Sequence, residues 1–143
     1  MVKSTPPGEP ARSARGSMRA TMALFYLAAG IIHLAYPAPF LGIMPRWVPN
    51  PADIVAFTGV CEIVGAVGLL WPPTRRAAGI ALAAYAVCVY PANVQHAVND
   101  LSTGTGLGLA YHLPRLALQP VIAWWALFCS GVVDWPFSRR RER

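Results

Sequence analysis

Four long apolar runs, at about residues 20–36, 52–71, 77–98 and 115–133, divide this chain, and prolines, glycines or short clusters of charge close each of them. At 1.5 Å per helical residue, a run of about 17–25 residues covers the ~30 Å hydrocarbon core of a bilayer. No water is available there to satisfy backbone N–H and C=O groups, so each run has to close its hydrogen bonds within itself, as a helix does. The expected fold is therefore all-α, a four-helix transmembrane bundle with a membrane domain over residues 20–134. Composition agrees. Charged residues make up 13% of the 143 residues, against about a quarter in a soluble domain.

The remaining charge sets the expected orientation. Lys3, Arg12, Arg15 and Arg19 precede the first run, Arg75 and Arg76 lie between the second and third, and Arg139, Arg140, Arg141 and Arg143 follow the fourth. Four crossings put these three segments on one side. Only Arg46 and Arg115 fall on the other. Cytoplasmic segments carry the excess of Lys and Arg, so both termini are expected in the cytoplasm. The net charge of +6 is thus a topology signal and a contact to anionic lipid. It is not a nucleic-acid surface, because no basic stripe is interleaved with aromatics.

The segments between the runs read as follows. Residues 1–19, with Pro6, Pro7, Pro10 and four basic residues, are expected as a disordered cytoplasmic tail, and residues 135–143 as a second basic tail. The first run is too long for a signal-peptide core of about 7–15 residues, so an uncleaved signal anchor is expected. Residues 37–51 carry five prolines and cannot span; they should lie in the outer interface with Trp47 at headgroup level. Pro91 should kink the third helix near residues 87–90. Residues 99–114 read as a flexible loop. Their Gly104-Thr-Gly106 run has no strand before it and no β-α-β context, so it is not a nucleotide motif.

Six polar side chains fall between mid-membrane and the outer surface: His33, Glu62, Asn93, His96, Arg115 and Gln119. Asn93 and His96 are three apart, and Arg115 and Gln119 four apart, so each pair shares a helix face. An ionisable residue at the centre of a span costs about 2.5–3.5 kcal/mol on insertion scales and normally faces the bundle interior, paired. Glu62 should therefore be protonated or matched by Arg115 or a histidine. His33, Glu62 and His96 are a ligand set that zinc or iron accepts, but no H-x-x-x-H or E-x-x-H spacing supports it, and no metal is expected. Cys61, Cys88 and Cys129 form no C-x-x-C pair and read as small buried packing residues.

These residues resemble the DoxX-like family of small integral membrane proteins. The resemblance rests on Gly30-Ile-Ile-His33, Thr58-Gly-Val-Cys-Glu62-Ile-Val-Gly65, Tyr90-Pro-Ala-Asn-Val-Gln-His96 and Leu113-Pro-Arg115-Leu-Ala-Leu-Gln119, in that order over about residues 20–134. It implies a multi-pass protein of the bacterial inner membrane, accessory to a quinone-linked redox system, with quinone as the cofactor and a membrane or periplasmic redox protein as partner. Homo-oligomerisation stays open, as does whether the chain is an enzyme, and no catalytic residue is assigned. Related redox bundles of the disulfide-relay type use paired cysteines, which this chain lacks. Two other readings compete: a non-enzymatic structural or assembly subunit, and a small transporter.

Overall fold

The computed structural model describes residues 9–104 and 106–135, with side chains from residue 14 onward. Among these residues there is no strand. There are four long helices and one short one: α1 (Glu9–Ala35), α2 (Ala38–Gly42), α3 (Pro51–Leu70), α4 (Arg75–Thr103) and α5 (Leu109–Cys129). Three of them, α1 over Ala14–Ala35, α3 and α4, are long and apolar enough to cross a membrane. Helix α5 is as long as α3 but carries His112, Pro114, Arg115, Gln119 and Pro120 between its first turn and its middle.

Local chemistry accounts for most of the helix ends. Pro37 stops α1, since the residue before a proline is pushed out of the α region. Pro51 opens α3 at the position where a missing N–H costs nothing, after Asn50 in the left-handed region (φ 46°). Trp71, extended and followed by Pro72 and Pro73, closes it. Gly104 ends α4 in the left-handed region (φ 66°), its N–H donating to the Asp100 carbonyl. Helix α5 ends in a Schellman motif: Gly131 (φ 79°) donates to Phe128 O, and Val132 donates to Leu127 O at 2.9 Å.

Several bounds differ from the sequence reading. Residues 9–19, expected as tail, are the first turns of α1. They are tied to the far end of α5. Arg15 pairs with Asp134, Arg19 Nε donates to Cys129 O at 3.1 Å, and Trp125 Nε1 donates to Met18 O at 3.1 Å. The expected loop at 99–114 shrinks to the five residues 104–108, because α4 runs on to Thr103 and α5 starts at Leu109. Pro91 lies inside α4, as the span assigned to the third helix places it, and the helix continues through it. The C-terminal residues 136–143, with the Arg139–Arg141 cluster, lie outside the described residues, as do residues 1–8.

Packing follows the small residues. Helix α1 lies on α3 and α4 lies on α5, with α3·α4 and α1·α5 contacts closing a ring. A Cβ on Gly30 would stand 2.6 Å from the Gly59 carbonyl oxygen, so the α1 and α3 backbones touch where side chains would otherwise hold them apart. The core draws on all four long helices: Met22 and Tyr26, Ala66 and Leu69, Ala78 and Leu82, Ala126 and Cys129. Leu24, Phe25, Ile31, Val87, Leu113 and Val121 point outward. An outer surface this apolar suits hydrocarbon rather than water.

Candidate functional site

The polar residues form two groups. The first joins α1, α3 and α4. Glu62 is buried in the middle of α3. Tyr85 of α4 donates its hydroxyl hydrogen to Glu62 Oε1 at 2.9 Å. On the opposite side, His33 Nδ1 lies 2.9 Å from Glu62 Oε2 and 2.9 Å from the Ala29 carbonyl. One N–H serves only one of them well. It is aligned on Ala29, so Oε2 has an ion-pair contact with His33 but no aligned donor. Phe40 of α2 stacks on the His33 imidazole, ring centroids 3.7 Å apart. The Pro-rich segment therefore fixes this ring from outside the bundle.

The second group joins α4 and α5 in one directed chain of hydrogen bonds. Arg115 has donors only, so it sets every direction. Its Nη2 donates to Asn93 Oδ1 at 2.7 Å, and Asn93 Nδ2 donates to Gln119 Oε1 at 3.3 Å. Gln119 Nε2 donates to the Ala86 carbonyl at 2.7 Å. In the other direction, Arg115 Nη1 lies 2.9 Å from His96 Nδ1, which must accept. Neutral His96 then carries its hydrogen on Nε2 and presents it to Asp100 Oδ2 at 3.3 Å. The same oxygen meets His112 Nε2 at 2.9 Å and accepts from Leu107 N at 3.1 Å. His112 is buried, and among the described residues its Nδ1 has no partner.

The six residues expected from the sequence thus divide. His33 and Glu62 stand together, while Asn93, His96, Arg115 and Gln119 stand together. Among the described residues no hydrogen bond or ion pair joins the two groups. Glu62 was expected to find Arg115 or a histidine; its partners are His33 and Tyr85. Tyr85, Asp100 and His112 escaped the sequence reading. A signal existed: Tyr85, Asn93, His96 and Asp100 recur at steps of eight, three and four along α4, one helical stripe, and His112, Arg115 and Gln119 recur at three and four along α5. Placing residues 99–114 in a loop removed Asp100 and His112 from those stripes.

Both groups border one cleft of about 1290 Å³ between α3 and α4. Its polar lining is His33, Thr58, Thr74, Tyr85, Asn93, Arg115 and Gln119; most of the remaining wall is apolar, with Phe57, Val64 and Val67 on one side and Ala81, Leu82 and Val89 on the other. Residues 43–45 and 47–49 of the Pro-rich segment also line it. Cys61 and Cys88 also line it. Only Cys129 is buried; Cys61 is half-buried and Cys88 exposed, because α3 and α4 part along this face instead of closing on it.

For metal ligation, the set weighed from the sequence (His33, Glu62 and His96) is not what the fold assembles. Among the described residues, His96, Asp100 and His112 bring one ligand atom each within 4.8 Å of one another.

The fold and site define a helical membrane-type bundle with a lipid-sized cleft and a polar end. The chain belongs to the family described as a domain of unknown function, DUF8561, whose model matches residues 22–130. That match includes every residue of both polar groups. No curated protein and no solved structure matches the chain.

Proposed function

We propose that this chain is a DoxX-like protein of the bacterial inner membrane that crosses the bilayer four times, with both termini in the cytoplasm. In this reading it serves as an accessory to a quinone-linked redox system, and the α3–α4 cleft holds a quinone. The observation that carries the reading is the cleft itself. An isoprenoid tail needs an apolar groove open to lipid, and a quinone head needs hydrogen-bond donors for its carbonyl oxygens. Here the groove is apolar along its length, and polar side chains from all four long helices meet at its border.

The chemistry follows from the two groups. Arg115, anchored by Asn93 and His96, is a fixed cation beside the cleft, suited to a carbonyl oxygen on which negative charge grows during reduction. Reduction to quinol takes up two electrons and two protons. The electrons come from a membrane or periplasmic redox partner. A bound quinone would need both protons delivered at the cleft wall; Glu62, which lies behind that wall, would pass them one after the other through its contacts His33 and Tyr85, regaining a proton from water between the two. The fourth crossing is α5, which packs along α4 and returns the chain to the Arg15, Arg19, Arg75 and Arg76 end of the bundle.

Purification in mild detergent followed by extraction of bound lipid tests this. The expected result is copurifying quinone, retained in Arg46→Ala and largely lost in Arg115→Ala. A second reading, a structural or assembly subunit, draws on the fact that Arg115, Asn93 and Gln119 are already bonded within the bundle. Quinone-free protein that holds a stable partner protein would favour it and contradict the first.

A further inference from the structure

We propose that His96, Asp100 and His112 form a binding site for a divalent transition metal of the zinc class, fastening the end of α4 to the start of α5. Two imidazoles and one carboxylate are the ligand set of many three-residue sites that keep a further position open to water. The geometry is close to what such an ion needs. Bonds of about 2.0–2.2 Å in a tetrahedral arrangement put neighbouring ligand atoms about 3.3 Å apart. Asp100 Oδ2 lies 3.3 Å from His96 Nε2 and 2.9 Å from His112 Nε2, and every pair in the trio lies within 4.8 Å. The two rings stand edge to face at 85°, centroids 4.8 Å apart, so their ring edges converge on the carboxylate from different directions.

The surroundings hold the ligands in place. His112 is 1% exposed. Leu107 N fixes Asp100 Oδ2 at 3.1 Å. A Cβ at position 106 would run into the Asp100 carboxyl group, so glycine there lets the backbone lie against it. His112 Nε2 faces Asp100 Oδ2 at 2.9 Å, and Nδ1 has no hydrogen-bond partner among the described residues, so a metal on Nε2 would move the ring hydrogen to Nδ1 without breaking a contact there.

One contact opposes the ion and gives the proposal its sharpest consequence. Metal on His96 Nε2 moves that ring's hydrogen to Nδ1, where it would face the Arg115 Nη1 donor at 2.9 Å. Binding must break this contact, while Arg115 keeps Asn93 through Nη2. Arg115 therefore gates the site, and removing its charge should tighten metal binding.

The test uses the full chain in detergent, carrying no polyhistidine tag and stripped with chelator, titrated with Co²⁺ alone and followed by its visible absorption, then displaced by Zn²⁺. The expected result is one equivalent of Co²⁺ with the intense bands of a low-coordinate site. Asp100→Asn and His112→Gln should each weaken it by more than about tenfold. His33→Gln, which removes an imidazole elsewhere, should leave it unchanged. Arg115→Gln should strengthen it by about tenfold or more. No saturable binding by the wild-type chain, or equal binding by Asp100→Asn and His112→Gln, overturns the proposal and leaves the trio a hydrogen-bond chain. Each variant's helix content by circular dichroism separates lost ligands from lost fold.

Discussion

At the scale of single residues, Glu62 bears the most consequence. Its side chain is 6% exposed and touches Tyr85 on one oxygen and His33 on the other. Gln at this position keeps an acceptor for the Tyr85 hydroxyl but sets its NH2 against the His33 Nδ1–H, which already donates to Ala29, so Glu62→Gln should fold with a modest loss of stability. Leu leaves the hydroxyl without an acceptor inside the bundle, which costs about 1–3 kcal/mol. Thermal unfolding in detergent should therefore rank Gln well above Leu. A Leu variant as stable as the wild type would show that the Tyr85 bond contributes nothing. The sequence made Glu62 conspicuous because a carboxylate in hydrocarbon demands a partner. It did not name the partner, since Tyr85 reads as one more aromatic in an apolar run. Asn93, His96, Arg115 and Gln119 were legible as two helical pairs. Asp100 and His112 were hidden for a different reason: three glycines within five residues suggested a long loop, whereas two of those glycines, at positive φ, only cap the helices on either side.

At the scale of elements, the apolar runs foretold where helices lie and misjudged how far they extend. Helix α4 has 29 residues, about 43 Å at 1.5 Å per residue, well beyond a 30 Å core. Its last turn, with Asp100, reaches past the run that marked it, which ended at residue 98. Helix α1 likewise begins before its apolar run, because Arg15 and Arg19 bind the C-terminal end of α5; such a long-range contact leaves no local mark in sequence. Helix α5 is where the topology is decided. It has the length to cross, yet Arg115 and Gln119 lie within it. Those side chains turn towards α4 and find partners there, which removes much of their cost in hydrocarbon. A reporter active only outside the cytoplasm should therefore be active when inserted in the 104–108 turn and silent when fused after Arg143. Activity at both sites would mean that α5 does not cross.

At the scale of the whole molecule, the four long helices close a ring that is tight at the end where Arg15, Arg19, Arg75 and Arg76 bind helix-terminal carbonyls or Asp134. Along the α3–α4 face it opens into the cleft. The asymmetry has a simple origin. Gly30 and Gly59 draw α1 onto α3, while no comparable pair of facing glycines joins α3 to α4 beside Cys61 and Cys88. Sequence patterning predicted a bundle but not the cleft, because a gap between helices depends on side-chain volumes meeting across space. We propose this gap as a quinone site, and photo-cross-linking in native membranes with an azidoquinone of short isoprenoid tail, read by peptide mass spectrometry, is the test. Saturable labelling is expected on α3 near Phe57–Val64 and on α4 near Tyr85–Asn93, suppressed by excess unlabelled quinone. Labelling spread over the outward faces of α1 and α5, at Leu24, Phe25, Ile31 or Val121, and insensitive to competitor, would contradict it.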